Sequence, residues 1–217
     1  MNSELRRDLT AEEGPLAGAV ITDVSPVGGG CIHQAWKLRL GDGQVLFAKS
    51  GGASALQLFE VEAEALEALH VQADASFLVV PQPIALAALP HGAVLLLPWL
   101  DCGGNDQTAL GRGLALLHQA SMASSPARFG WHRDGFIGAG PQPGGWRDDW
   151  GSAFVELRLR PQLEALDCFA AGFNGPQSVV AAPRRASERA STTPGLGARR
   201  SLGWECRQPE RWTREHF

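Results

Sequence analysis

Lys49 ends the apolar run Leu46-Phe47-Ala48 and is one of only two lysines in the chain, the other being Lys37. A lysine on an interior-facing strand position needs a counter-charge, because an unpaired buried charge is costly. Glu62, one element later in an acidic stretch, supplies one. Ahead of the lysine stands Gly28-Gly29-Gly30, where missing side chains let the backbone approach something bulky. A glycine turn above and a paired lysine beneath form a grip for nucleotide phosphates. The glycine string falls short of a full G-x-G-x-x-G pattern, and a lysine here also suits an exposed strand end. It is the glycine turn, the lysine and the acidic stretch together that favour phosphate binding.

Cys31 lies in the same turn. It reads first as a small hydrophobe, with a reachable thiol near phosphates as the sharper alternative. His33, His70, His91, His118 and His132 have no metal-ligand spacing and read as surface or capping residues. Trp131, Trp146 and Trp150, with Asp148 and Asp149, form a denser group. Aromatics beside carboxylates suit a polyhydroxylated, amine-bearing ligand, and equally suit packing of a loop onto a helix.

The elements that must position these residues follow from periodicity. Residues 18–24 predict a first strand, Ile32 to Leu40 a second and Val45 to Ser50 a third, with Gly41-Asp42-Gly43 as the hairpin turn between the last two. Ser54 is a candidate cap for a helix reaching His70, with Leu56, Phe59, Ala63, Leu66 and Leu69 at helical spacing. Phe77 to Val80 predicts a short strand stopped by Pro81 and Pro83, and Val94 to Leu100 a buried strand broken by Pro98. Asn105 or Asp106 caps a helix from Gln107 to about Ala120, with Leu110, Leu114 and Leu117 on one face. Residues 128–145 read as a loop. A last helix runs from Trp146 or Asp148 to about Leu166, with Phe154, Leu157 and Leu163 inward.

Composition bounds the function classes. With 217 residues and 44% hydrophobic content the chain can build a real core, as one large domain or two small lobes. A net charge of −4 offers no basic surface for nucleic acid or an anionic membrane. The N-terminus lacks the apolar stretch of a signal peptide, and no apolar run approaches membrane length, so a cytoplasmic protein is expected. Four scattered cysteines without a C-x-x-C pair argue against a zinc site or disulfide scaffold. From Asp167 onward there are eight arginines, no lysine and no clear periodicity. That tail does not match the preceding 166 residues and is expected to be largely disordered.

Several stretches carry a resemblance. Gly28-Gly29-Gly30-Cys31-Ile32, Phe47-Ala48-Lys49, Phe59-Glu60-Val61-Glu62-Ala63, Leu95-Leu96-Leu97-Pro98-Trp99-Leu100, Leu110 to His118 and Phe129-Gly130-Trp131 resemble the fructosamine/ketosamine 3-kinase family. Most specific are Phe136-Ile137-Gly138, Pro141-Gln142-Pro143, Trp146-Arg147-Asp148-Asp149-Trp150 and Arg158-Leu159-Arg160-Pro161-Gln162-Leu163. The resemblance spans about residues 15–166. It implies an α+β, protein-kinase-like two-lobe fold related to aminoglycoside phosphotransferases: a small antiparallel-sheet lobe over 1–98 and an incomplete helical lobe over 99–166. It also implies ATP-dependent phosphorylation of ketosamines, free or protein-bound, as deglycation repair. ATP and Mg²⁺ would be the cofactors. Gly28, Gly29, Gly30, Lys49 and Glu62 would hold phosphates, Pro98, Trp99 and Leu100 would form the hinge at adenine, and Trp131, Trp146, Asp149 and Trp150 would face substrate.

The family's catalytic loop, His-Gly-Asp-x-Trp-x-Gly-Asn followed by a metal-binding Asp-Pro, has no counterpart here, so the chain carries neither that catalytic Asp nor those Mg²⁺ ligands. Ala198 to Cys206 stands in its place. With codons GCA CGG CGA TCT CTG GGT TGG GAA TGC, those residues read one base later as His-Gly-Asp-Leu-Trp-Val-Gly-Asn. The glycine spanning Trp204 and Glu205 is forced by any codon choice. A frameshift between about Leu166 and Pro194 is therefore expected, leaving 167–217 out of frame and the literal chain inactive. Rival readings are an aminoglycoside-type or other small-molecule phosphotransferase, and a non-catalytic nucleotide-binding remnant.

Overall fold

The computed structural model describes residues 1–29, 32–103, 106–124 and 127–165. Gly30, Cys31, Asn105, Leu166 and the tail from 167 lie outside the described residues. So do the expectations attached to them: the third phosphate-site glycine, the thiol, the alternative helix cap and the disordered, out-of-frame segment.

Five strands form one antiparallel sheet: β1 (Ile21–Val27), β2 (Gln34–Leu40), β3 (Val45–Gly51), β4 (Ala85–Leu89) and β5 (Gly92–Pro98), in spatial order β1-β2-β3-β5-β4. β2 and β3 pair from Gln34 opposite Ser50 to Arg39 opposite Val45, closed by the predicted Gly41-Asp42-Gly43 turn, in which Gly43 has φ +90°. β3 then pairs with β5, Leu46 opposite Pro98 and Lys49 opposite Leu95. Side chains alternate across a strand. Leu46, Ala48 and Ser50 are therefore buried on one face of β3, and Phe47 and Lys49 point to the other.

Each face has its own core. On one, Leu38, Leu40, Leu46, Ala48, Val94 and Leu96 pack with Ile21 and with Leu9 of the N-terminal helix α1 (Ser3–Thr10). The Trp36 indole N–H donates to the buried Ser50 hydroxyl at 2.8 Å, satisfying the polar group on that side. On the other face, Ala93, Leu95 and Leu97 meet Ala55, Phe59 and Ala63 of helix α2 (Ala55–Gln72). Spacing of four residues puts those three on one stripe of the helix. Phe59, fully buried, is the largest side chain in this cluster.

Helix α3 (Gln107–Ser124) follows the sheet, and Asp106 Oδ1 accepts the Ala109 N–H at 2.9 Å. Residues 129–147 form two small ribbons: β6 (Phe129–Trp131) with β9 (Gly145–Arg147), and β7 (Gly135–Ile137) with β8 (Gly140–Gln142). The described chain ends in helix α4 (Trp150–Phe154), a π-helical turn over Val155–Leu159, and helix α5 (Arg160–Ala165).

Several expectations are corrected. The first strand is shifted to Ile21–Val27, and Phe77 to Val80 is not a strand. The fourth strand forms beyond Pro81 and Pro83, which have no N–H to donate to a ladder. Ser54 lies in helical backbone and makes no capping bond with its side chain. The 128–145 loop contains paired ribbons. The last helix starts at Trp150 and is interrupted by the π turn; Phe154, expected inward, is 36% exposed, while Leu157 stays at 3%. On α3, Leu117 is buried but Leu110 and Leu114 are 40% and 43% exposed.

Candidate functional site

The Lys49 ammonium and a Glu62 carboxylate oxygen are 2.5 Å apart. Register explains the meeting. Lys49 shares the α2-facing side of β3 with Phe47, and on α2 the residues Leu58, Val61, Glu62 and Ala65 recur at i, i+3, i+4, i+7, one continuous stripe. That stripe, with Phe47 and Lys49, lines a cleft of about 820 Å³. Val27, Gly28, Gly29, Ile32, His33 and Ala35 form its sheet side, and Phe136 and Gly138 close it from the β7–β8 ribbon. Gly29 has φ +100°, a conformation that side chains rarely adopt. Among the described residues nothing beyond the chain neighbours lies within 4 Å of a Cβ built on Gly28 or Gly29, so the turn stands open.

His33 belongs to this cleft although its sequence context read as surface. Its ring meets Phe59 edge-on, centroids 4.7 Å apart. Burial, and then the Lys49 ammonium, hold its pKa below the ordinary histidine value of 6.5, while Glu62 pulls the other way. Alternation along β2 was the available signal: His33 is two residues before Ala35, which pairs with Lys49.

Pro98, Trp99 and Leu100, expected to form a hinge, sit beside the cleft rather than lining it. Trp99 donates its backbone N–H to the Val45 carbonyl at 3.3 Å and its indole N–H to Asp101 Oδ1 at 2.8 Å. Lys37 Nζ lies 4.0 Å from the centre of the Trp99 ring, which is also tilted against Phe47 at 6.5 Å. Pro98 closes β5 opposite Leu46, and Leu100 follows beyond the strand.

The aromatic and acidic residues expected on the substrate side do not converge. Trp131 and Trp146 stand on paired strands one register step apart, Trp146 opposite Gly130 and Trp131 opposite Gly145, so alternation sends them to opposite faces. Asp149 caps α4, accepting the Ser152 N–H at 2.8 Å. Trp150 is 57% exposed and stacks on Phe154 with centroids 5.1 Å apart. Trp131 alone of the four lines either cavity: it borders a second one, about 870 Å³, which adjoins the first along α2 and shares Val61, Ala65 and Phe136 with it. There its indole N–H donates to Glu64 Oε1 at 3.2 Å, and Arg133 Nη1 to Glu64 Oε2 at 3.0 Å. His132 Nε2 is 3.0 Å from the same carboxylate. Sequence reasoning missed Glu64 because four glutamates crowd this helix and only the tertiary fold says which face each one takes.

The cleft combines open glycine backbone, a paired lysine and apolar walls from Phe47, Leu58 and Val61. No cluster of three or more histidine, cysteine or carboxylate side chains able to hold a metal occurs among the described residues.

A model of the fructosamine kinase family matches residues 4–196. The chain belongs to the fructosamine kinase family. A protein of Synechocystis named a probable ketoamine kinase is 38% identical over 173 residues, 78% of this chain and 56% of the relative. The chloroplastic protein-ribulosamine 3-kinase of Oryza sativa subsp. japonica is 36% identical over 149 residues, 67% of this chain and 42% of that protein. The chain therefore spans about half the length of these relatives. Crystal structures that carry the fructosamine-3-kinase name share the fold. The one from Haemophilus somnus 129PT has a TM-score of 0.62 at 23% identity, covering 82% of this chain and 58% of that one. The one from Thermobifida fusca has 0.62 at 22%, covering 89% and 64%. The α+β, kinase-like fold is common to all three. Among the described residues no helix is long and apolar enough to cross a membrane.

Proposed function

We propose that this chain is the nucleotide-gripping part of an ATP-dependent ketosamine kinase, with residues 1–98 as the nucleotide lobe and 99–166 as the start of a substrate lobe. The observation that carries the reading is the 2.5 Å Lys49–Glu62 pair inside the glycine-capped cleft. Lys49 binds phosphate oxygens there, Glu62 fixes the direction of the ammonium, and the Gly28–Gly29 backbone covers the phosphates. Bound ATP supplies the transferable phosphoryl group. Pro98, Trp99 and Leu100 border the adenine end through Phe47. On the substrate side the reading narrows from Trp131, Trp146, Asp149 and Trp150 to Trp131, the one of them that borders a cavity.

Family membership favours ketosamines, as amines or on proteins and hence deglycation, over an aminoglycoside-type substrate. The missing His-Gly-Asp-x-Trp-x-Gly-Asn string, which one choice of codons over Ala198 to Cys206 restores one base later, supports a frameshift upstream. On this reading the 217-residue chain binds ATP but transfers no phosphate, and Mg²⁺ binding and the proton-accepting Asp return only with the frame. The test has two parts. The gene's bases must read through into the loop one position later. The frame-restored protein must then transfer phosphate from ATP to a fructosamine; transfer to aminoglycosides alone would overturn the substrate class.

A further inference from the structure

His33 occupies a place in the cleft that the Lys49–Glu62 grip leaves unexplained. Its side chain lines the same wall as Gly28, Gly29 and Lys49. Two contacts fix its orientation. The Phe59 ring meets it at 61° between planes, and Gly51 leaves room for its edge: a Cβ on Gly51 would lie 3.1 Å from His33 Cδ2 and 2.6 Å from Ala55 Cβ. An imidazole pinned by packing loses little entropy when it binds something. Among the described residues neither ring nitrogen has a hydrogen-bond partner, so packing fixes the ring while its polar atoms stay unspent.

Of the charged groups facing it, Lys49 comes from β3 and Glu62 from α2. A ring donor just ahead of β2 would complete a three-sided cradle: glycine backbone above, ammonium below, imidazole at the side. We propose that His33 is a phosphate-positioning residue, donating a ring N–H to a phosphate oxygen of the bound nucleotide. This rests on the nucleotide reading of the cleft. Its depressed pKa keeps the imidazole neutral near pH 7, so it offers one donor without adding charge beside Lys49.

The experiment is calorimetric titration of the full 217-residue chain with ATP and with adenosine, in three forms: unaltered, His33→Phe and His33→Asn. Phenylalanine keeps a ring against Phe59 but has no donor; asparagine keeps a donor without the ring. Loss of a hydrogen bond to a charged group predicts roughly tenfold to a hundredfold weaker ATP binding in His33→Phe, with adenosine binding unchanged. His33→Asn should recover most of the ATP affinity. Equal ATP affinity in the unaltered and His33→Phe chains overturns the proposal, as does parallel weakening of ATP and adenosine, which marks a packing role. If the unaltered chain binds neither ligand, the nucleotide reading itself fails, a result distinct from either of these.

Discussion

Replacing Lys49 with methionine separates a binding role from a structural one. The bare attraction of two unit charges 2.5 Å apart is about 1.7 kcal/mol in water and about 7 kcal/mol at an effective dielectric near 20. Most of that does not reach the folding free energy. The two side chains are 26% and 34% exposed, so water solvates both heads, and ordering two long side chains costs entropy. The net contribution of such a pair is at most about 1 kcal/mol. In a chain of this size that moves the melting temperature by about 2–4 °C. The ATP complex should respond differently. There the ammonium meets phosphate, and losing a charge-assisted contact costs about 1.5–3 kcal/mol, roughly tenfold to 150-fold in affinity. Urea denaturation and calorimetric ATP titration of Lys49→Met together read both quantities. Full ATP affinity in the variant would refute the grip. A stability loss of several kcal/mol would show that Lys49 is mainly an anchor for α2.

Phe59→Ala should cost about 3–5 kcal/mol, because the ring is fully buried between α2 and β5, and it should release α2 and so weaken ATP binding; thermal melts and titration measure both. Gly130→Ala should break the β6–β9 ribbon, since a Cβ there would sit 2.0 Å from the Gly145 carbonyl oxygen at φ +138°; amide exchange over 129–147 should rise while the five-stranded sheet stays protected. His33 gives a pH signature. Its folded pKa lies below 6.5, so the unfolded chain binds the extra proton first, and His33 subtracts stability as pH falls from 6.5 toward the folded value. Above 6.5 it contributes no slope. Denaturation midpoints of the unaltered chain should therefore drop more between pH 7 and pH 5.5 than those of His33→Asn, and identical slopes would count against a desolvated imidazole.

The β2–β3–α2 succession was legible from alternation and helical spacing around the Gly41-Asp42-Gly43 turn, and with it the face of β3 that carries Lys49. The pairing of Lys49 with Glu62 was also legible, because a strand lysine and a following acidic helix leave few other partners. Local pattern could not say that β4 forms after Pro83 rather than before Pro81. Which strand joins β5 depends on a ladder partner distant in space, and prolines only mark where pairing cannot occur. Glu62 was legible as the lysine's partner, but nothing local gave its neighbour Glu64 a role. Two residues apart on a helix, they point to different sides, and only docking on Phe59 and Leu95 turned one toward Lys49 and the other toward Trp131, His132 and Arg133. Trp131, Trp146, Asp149 and Trp150 are close in sequence, yet a ribbon register, a helix cap and a stacked pair dispersed them. Residue types and spacing thus determined that a strand lysine would meet a helix acid near a glycine turn. The tertiary structure decided which side chains face the cleft, because side-chain direction is set by the surface each element buries.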